Sequence, residues 1–290
     1  MNKLVIKDLY FSYFGNPVLQ NLQLTVQDGI NVILGANGSG KTTLFKMLVG
    51  VTKPKKGSIF LNDTSFKKGI DLREQVAYIP QNFSVYPAIR VRELLEFVGQ
   101  VKYGYKGSQL QQEIERVTEL ADVGEFLHKR MKNLSEGMRR RVGIAQALIG
   151  NPKLIVADEP TAGLDPEQRF NFNLTLQRIP KDRIVLLSTH IIEDIQQFSD
   201  QIFVLSKGSI NYQGTYHEFA HSLDGRSFEV KVSTQEDLKA VEEKAQILSR
   251  AMIENQMLLK VAFQYPPEEG EIPGMQPSVP NLAEVWSYYE

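Results

Sequence analysis

Short apolar runs of strand length recur along the chain, separated by stretches in which apolar residues follow helical spacing. Three runs, at residues 31–34, 154–157 and 183–187, show little polar alternation. Such runs are typical of strands buried on both faces of a parallel sheet. Further strands are predicted at residues 3–9, 22–26, 57–62 and 76–79, and in a hairpin of residues 201–205 and 209–213. This order predicts a layered α/β core.

The middle of the chain, at about residues 83–150, has a helical pattern instead. Residues 109–121 place apolar side chains on one face and Gln and Glu on the other; the apolar ones are Leu110, Ile114, Val117 and Leu120. Helices are also predicted at residues 91–100 and from about residue 137. We interpret this stretch as a helical insert between strands.

Three consecutive arginines, Arg139, Arg140 and Arg141, fall on the last of these helices. Such a run resembles a nucleic-acid patch, but on a helix the three side chains spread over more than half a turn. A solvated or carboxylate-paired face is therefore the favoured interpretation.

The composition changes beyond about residue 224, which divides the chain into domains at 1–223 and 224–290. Strands at residues 227–232 and 257–263 flank an amphipathic helix predicted at 235–248. A Pro/Gly-rich connector at 266–280 precedes a terminal helix at 281–289, so we predict a small α+β appendage.

Composition narrows the class of protein. A chain of 290 residues is long enough to bury a large core. Its net charge of −1 gives no indication that it binds nucleic acid. The absence of cysteine excludes disulfides and thiolate metal sites. No apolar run approaches the roughly 20 residues of a membrane span, and residues 1–8 lack the pattern of a secretory signal. A cytoplasmic location is expected.

Residues 35–43 fit the pattern G-x-x-x-x-G-K-[ST] directly after a predicted strand, which predicts a phosphate-binding loop. Glycines let successive backbone N–H groups surround phosphate oxygens, a lysine adds charge, and a helix opening at Thr42 directs its positive end toward the phosphates. The expected ligand is a nucleoside triphosphate with Mg²⁺ bound by the Thr42 hydroxyl. The candidate ligand-binding residues are Gly35, Asn37, Gly38, Ser39, Gly40, Lys41, Thr42 and Thr43.

Hydrolysis needs further groups, and four polar residues follow predicted strands. Asp158 is placed to hold Mg²⁺ through water, and Glu159 to accept a proton from the attacking water. Gln81 and His190 can converge on the γ-phosphate from neighbouring strand ends.

These motifs closely resemble the ATP-binding subunit of ABC transporters. The resemblance covers residues 1 to about 220 and rests on six segments in one order: the phosphate loop, 78–81, 134–138, 156–160, 162–165 and 188–190. It implies a P-loop NTPase core of ABC type with an antiparallel β subdomain and the helical insert. Residues 138–148 and 161–166 look most like subunits that serve bacterial exporters of antibiotics, peptides or lipids.

The resemblance implies that two copies face each other and that each closes over the ATP of the other. Ser135 and Gly137 would then donate hydrogen bonds to the partner's γ-phosphate, Asp165 would lie at the seam, and His190 would clasp the γ-phosphate. Gln81 would also help to bind the Mg²⁺ ion. Tyr13 would stack on adenine, although from the residues alone the favoured role of its aromatic loop, residues 11–17, is to close the end of the sheet.

Two positions depart from the family signature, which has glycine where Glu136 stands and glutamine where Met138 stands. A carboxylate directed at a triphosphate would be unfavourable, so we expect Glu136 to face outward and hydrolysis to survive.

The family resemblance also implies a membrane partner. A groove between residues 82–134 and the core would receive a short helix of a separately encoded transmembrane permease, with Phe83 and Tyr86 as candidate contacts. The chain would lie peripherally on the cytoplasmic face of the membrane. Alternatives are an importer ATPase and a soluble ABC-type ATPase that acts on ribosomes or DNA. For residues 224–290 a structural role, such as lengthening the dimer interface, is favoured.

Overall fold

The computed structural model describes residues 1–66, 72, 74–81, 83, 85–253, 256–268 and 271–290. Its strands, in chain order, are β1 (Lys3–Tyr13), β2 (Asn16–Gln27), β3 (Gly29–Leu34), β4 (Lys56–Leu61), β5 (Thr64–Ser65), β6 (Val76–Ile79), β7 (Leu154–Ala157), β8 (Ile184–Thr189), β9 (Gln201–Ser206), β10 (Ser209–Gly214), β11 (Ser227–Val232), β12 (Gln246–Ile253), β13 (Gln256–Ala262) and β14 (Gln276–Pro277). Its α-helices are α1 (Lys41–Leu48), α2 (Val91–Tyr103), α3 (Gly107–Leu120), α4 (Glu136–Leu148), α5 (Pro166–Gln177), α6 (Glu193–Phe198), α7 (Tyr216–Ala220), α8 (Gln235–Lys244) and α9 (Leu282–Tyr289).

The central sheet has the strand order β10-β9-β3-β8-β7-β6, with β10 antiparallel at one edge and the other strands parallel. Successive residues point to opposite faces, so Val32 packs in one hydrophobic cluster and Ile33 in another. The predicted buried strands are therefore present as β3, β7 and β8. Because β3, β6, β7 and β8 are parallel, their carboxyl ends lie at one edge of the sheet.

A second sheet, in the order β2-β1-β4-β5, is antiparallel and packs over one face of the central sheet. Here the predicted aromatic loop at residues 11–17 is wrong in form, because β1 continues to Tyr13 and β2 begins at Asn16. Phe14 and Gly15 form the turn, with φ of 47° and 91°. Pairing of Tyr13 with Asn16 extends the hairpin through the residues whose turn composition suggested a loop.

The helical insert contains α2, α3 and α4 and packs on the other face of the central sheet. The three arginines of α4 are all paired with carboxylates, Arg139 and Arg140 with Glu136 and Arg141 with Asp122. The carboxylate-paired interpretation therefore holds for all three, although Arg140 is 3% exposed and so does not lie on a solvated face. Its guanidinium lies inside because backbone carbonyls accept its hydrogen bonds.

The C-terminal part contains a third sheet, in the order β12-β13-β11-β14, with its own hydrophobic cluster. The predicted helix at residues 235–248 is too long, since α8 ends at Lys244 and the chain turns extended at Ala245. β12 then pairs with β13 over its whole length. The pairing of β12 with β13 decides the conformation of residues 246–248, and the local spacing of apolar residues does not reveal it.

The terminal helix is present as α9, and it returns to the central sheet. Its Val285 is fully buried, and Trp286 and Tyr289 pack against the cluster that covers the sheet. Within the predicted connector, Glu269 and Gly270 lie outside the described residues, as do Asn82 and Ser84 in the predicted groove. Among the helices that the structure describes, none has the length and apolarity to cross a bilayer.

Candidate nucleotide-binding site

The loop between β3 and α1 has a backbone that requires glycine at several positions. Gly38 and Gly40 have φ of 87° and 111°. A Cβ on Gly40 would lie 2.8 Å from Leu19 Cδ2, and one on Gly35 would lie 2.4 Å from Leu205 O. The loop is thus held tightly between β2 and β9, and α1 begins at Lys41, one residue earlier than predicted.

The loop presents unused hydrogen-bond donors. Among the side chains that the structure describes, none caps α1, and its first turn has no acidic residue, so its first N–H groups are available to an anion. Ser39 Oγ is buried and has no hydrogen-bond partner among the described residues. Asn37, Gly38 and Thr42 are exposed. These donors fit a phosphate group.

Lys41 is almost completely buried beneath this loop. Its Nζ donates hydrogen bonds to Gly35 O at 2.6 Å and Ala36 O at 3.0 Å, and lies 3.5 Å from Glu159 Oε1. Burial lowers the pKa of Lys41, and the nearby charge of Glu159 opposes that change. The ammonium is therefore held beside the loop by a carboxylate and two carbonyl groups, where an incoming phosphate can compete for it.

Glu159 connects the strand ends. Besides Lys41, its Oε1 lies 3.3 Å from His190 Nδ1, and its Oε2 accepts a hydrogen bond from Gln81 Nε2 at 3.2 Å. The structure thus brings together four predicted residues, Lys41, Gln81, Glu159 and His190. They arrive from β3, β6, β7 and β8, whose ends share one edge.

The two adjacent acids point in different directions because Glu159 has a φ of 44°. Asp158 is 2% exposed and accepts a hydrogen bond from Ser188 Oγ at 2.7 Å. The same Ser188 oxygen accepts a hydrogen bond from the Glu159 backbone N–H at 2.9 Å. Ser188 therefore fixes the positions of both acids. The sequence signal for this residue is its place two residues before His190, at the end of the same predicted strand.

Three candidate residues lie on a separate surface. Ser135 caps α4 by accepting a hydrogen bond from Met138 N, and Asp165 caps α5 by accepting one from Gln168 N. A Cβ on Gly137 would lie 3.3 Å from Gln168 Cγ, so the starts of the two helices are neighbours. Across the described residues, no hydrogen bond or ion pair joins these three to the Lys41 cluster, which is our name for Lys41, Gln81, Glu159 and His190.

Glu136 is directed along its own helix, where its carboxylate pairs with Arg139 and Arg140.

Tyr13 lies at the end of the β1–β2 hairpin, 42% exposed, with its ring edge-to-face against Phe11 at 4.8 Å between centroids. The Tyr13 ring is thus in contact with Phe11 while part of its side chain remains accessible.

The donor set for a metal ion consists of oxygen groups, which is the chemistry that Mg²⁺ prefers. Asp158 and Thr42 supply a carboxylate and a hydroxyl, and Asp158 is close enough to Lys41 to affect its pKa. The residues that the structure describes contain no group of three or more His, Cys, Asp or Glu side chains arranged for a metal. This donor set fits an ion that shares its coordination with substrate phosphates and water.

The predicted partner contacts differ in exposure. Tyr86 is 75% exposed, whereas Phe83 is buried and its ring lies against Gly143. Phe83 nevertheless lines a small pocket of about 290 Å³ within the predicted groove, so its role as a partner contact stays a prediction; the other lining residues are Val85, Pro87, Met131, Lys132 and Arg139. A larger cavity, of about 630 Å³, lies beside the end of α1 and reaches Lys102 of α2; its walls include Leu48, Val49, Ile59, Val76, Tyr78 and Lys102.

Residues 19–162 match the protein family described as ABC transporter. The uncharacterized ABC transporter ATP-binding protein YxlF of Bacillus subtilis is 34% identical over 230 residues, covering 79% of this chain and 76% of its own length. The Nod factor export ATP-binding protein I of Cupriavidus metallidurans is 33% identical over 216 residues, covering 72% and 70%. The high-affinity zinc uptake system ATP-binding protein ZnuC of Bacillus subtilis is 30% identical over 218 residues, covering 72% and 93%.

Among solved structures, cbiO1 from Clostridium perfringens, part of the ABC transporter complex cbiONQ, matches with a TM-score of 0.68 and 27% identity. The match covers 73% of this chain and 88% of cbiO1. A structure of an ATP-binding subunit of an ABC transporter matches with a TM-score of 0.66 and 27% identity, covering 76% and 92%.

Proposed function

The chain belongs to the ABC transporter family of ATP-binding proteins, and we propose that it acts in pairs, with Mg²⁺, to power an exporter. ATP binding and hydrolysis to ADP and phosphate are the activity of this family, whose ATP-binding subunits work with separate transmembrane permease components. The predicted fold is confirmed by the match to solved ABC ATPase subunits. The pairing, the metal, the residue roles and the direction of transport are the proposal.

One observation carries the assignment of residues: Glu159 contacts Lys41, Gln81 and His190 at one sheet edge. In the proposal Lys41 and the loop N–H groups bind the β- and γ-phosphates. Glu159 accepts the proton of the attacking water, while Gln81 and His190 hold the γ-phosphate and that water in place. Thr42, Asp158 and Gln81 would hold Mg²⁺, which neutralises phosphate charge when bound.

The proposal of paired subunits is supported by the separate surface at the starts of α4 and α5. Ser135 and Asp165 are exposed there and do not belong to the Lys41 cluster. The start of a helix of 13 residues, capped by a serine, favours an anion. A second copy facing the first would bring this surface to the triphosphate of its partner.

The cavity beside α1 and α2 supports a docking site for the permease. Apolar side chains form most of its walls, and Lys102 lies at its border with the helical insert. A short amphipathic helix fits such a groove, and the movement of α2 with the insert would transmit nucleotide-dependent closure. In this arrangement the chain lies peripherally on the cytoplasmic face of the membrane, and no nucleic acid takes part.

Export is proposed because residues 138–148 and 161–166 resemble exporter subunits, and because a relative named for Nod factor export is 33% identical. The relative named for zinc uptake shows that sequence likeness alone does not assign direction. The transported molecule would be selected by the permease and not by this chain.

The direct test is to purify the chain from membranes in mild detergent, identify its companions, and measure ATP hydrolysis by the complex. An integral membrane companion with hydrolysis dependent on Lys41 supports the proposal, and outward transport by the reconstituted complex supports export. Ribosomes or DNA as the stable companion would favour the soluble ATPase, and inward transport would establish an importer.

A further inference from the structure

The Arg140 guanidinium joins three parts of the molecule. It lies one turn into α4, and its side chain is 4% exposed. Nη1 donates a hydrogen bond to Gln81 O and lies 3.5 Å from Pro80 O, and Nη2 donates to Ala162 O at 3.5 Å. A single buried cation thus contacts the segment after β6 and the turn after β7.

Both of these segments lead to Glu159. The side chain of Gln81 donates its hydrogen bond to Glu159 Oε2, and the Ala162 N–H donates to Glu159 O at 3.1 Å. Arg140 therefore holds the backbone on two sides of Glu159 without touching its carboxylate.

Glu136 supplies the negative charge for this arrangement. Its Oε1 lies 3.2 Å from Arg140 Nε, with the two residues four positions apart on α4. Such a pair directs the guanidinium across the helix toward the carbonyl groups. An isolated buried guanidinium would be costly, and the carboxylate reduces this cost.

We propose that Glu136 and Arg140 form a positioning pair that links the start of α4 to Gln81 and Glu159. A planar guanidinium holds its five N–H donors in a fixed fork that reaches separate carbonyl groups and a carboxylate, whereas lysine directs its donors from a single nitrogen and glutamine carries no charge. When Ser135 engages a partner's nucleotide, the displacement of α4 then passes through Arg140 to the hydrolytic residues of its own site. The inference rests on the proposed roles of Gln81 and Glu159.

The first test compares Arg140→Gln, Arg140→Lys and the control Arg139→Gln in the full chain. Arg139 shares Glu136 as a partner but makes no hydrogen bond to Gln81 or Ala162 within the described residues. Arg140→Gln is expected to lower kcat about 10-fold through misplacement of Gln81 and Glu159, with the affinity for a fluorescent ATP analogue unchanged within about 2-fold. Arg140→Lys should recover part of kcat, and Arg139→Gln should leave it unchanged.

The second test is a double-mutant cycle with Glu136→Gln, a change at a side chain that is 42% exposed. We expect Glu136→Gln to lower kcat about 3-fold alone and to have no further effect in the Arg140→Gln chain, since the pair acts as a unit. Independent effects in the cycle would contradict the inference, as would an unchanged kcat in Arg140→Gln. Equal losses of ATP affinity, kcat and melting temperature would indicate a merely structural role and also overturn it. Absence of hydrolysis in the unmodified chain and its complex would instead reject the proposed function.

Discussion

The Ser188 hydroxyl donates a hydrogen bond to Asp158 Oδ1 at 2.7 Å, within the fully buried end of β8. The same oxygen accepts from the Glu159 N–H, so one small side chain sets the directions of two neighbouring acids that have different proposed roles. This link makes β7 and β8 a single support for the site.

Replacing Ser188 by alanine tests that support. The change leaves a buried carboxylate oxygen without its donor, which is expected to lower the free energy of unfolding by about 1–3 kcal/mol. ATP turnover should fall as well, because Glu159 loses its backbone acceptor. Urea denaturation and steady-state hydrolysis measure the two effects. Ser233→Ala, at an exposed position, is the control and should change stability by no more than about 0.5 kcal/mol. A Ser188→Ala chain that matches this control would show that the bond does not matter.

The sequence predicts the strands and the loop that carry the site better than it predicts the long-range contacts between them. β3, β7 and β8 are predictable because they are short apolar runs that end in polar residues, and the phosphate loop because its glycines are required at fixed spacing. β12 is missed because its stability comes from pairing with β13, while Ile247 and Leu248 extend the apolar pattern of α8. The contacts of Arg140 are missed because a run of three arginines gives no sign that one of them donates hydrogen bonds to carbonyl groups 59 and 22 residues away along the chain.

Tyr13 gives a prediction about the base of the nucleotide. If its ring stacks on adenine, Tyr13→Ala should weaken binding of ATP by about 1–3 kcal/mol, whereas Tyr13→Phe should bind normally. Titration with a fluorescent ATP analogue measures this. Phe14→Ala is a matched control, since Phe14 is fully exposed at the adjacent turn. Equal effects of the Tyr13 and Phe14 alanine variants would rule out specific stacking.

Asp194 predicts a pH dependence of stability. This carboxyl group is buried, and burial raises its pKa, although hydrogen bonds from Thr161 and Thr189 and the charge of Arg169 act against the increase. The folded chain therefore holds this proton more tightly than the unfolded chain, and the resulting stability is full below the ordinary carboxyl range. It is lost as the pH rises through the raised pKa, by at most about 1.4 kcal/mol per pH unit.

The Asp194→Asn chain isolates this contribution because it cannot titrate at that position. Subtracting its free energy of unfolding from that of the unmodified chain, measured by urea denaturation from about pH 4 upward, should give a difference that falls as pH rises. The two chains differ at this one position, so the difference reports the Asp194 carboxyl group in its native surroundings, including the charge of Glu193 that also raises its pKa. A difference that is constant or rises with pH would show that burial does not raise the pKa of Asp194.

The central claim is that Glu159 drives hydrolysis in a pair of subunits closed around ATP. The direct measurement is light scattering after gel filtration of the Glu159→Gln chain in ATP and Mg²⁺, together with its rate of hydrolysis. The amide keeps the size of the side chain but cannot accept the proton of water, so hydrolysis should fall by about 10²–10⁴. The bound ATP should then hold two chains together, giving twice the mass of one chain. A chain that binds ATP yet stays at the mass of one chain, or that still hydrolyses ATP at the unmodified rate, would contradict the account.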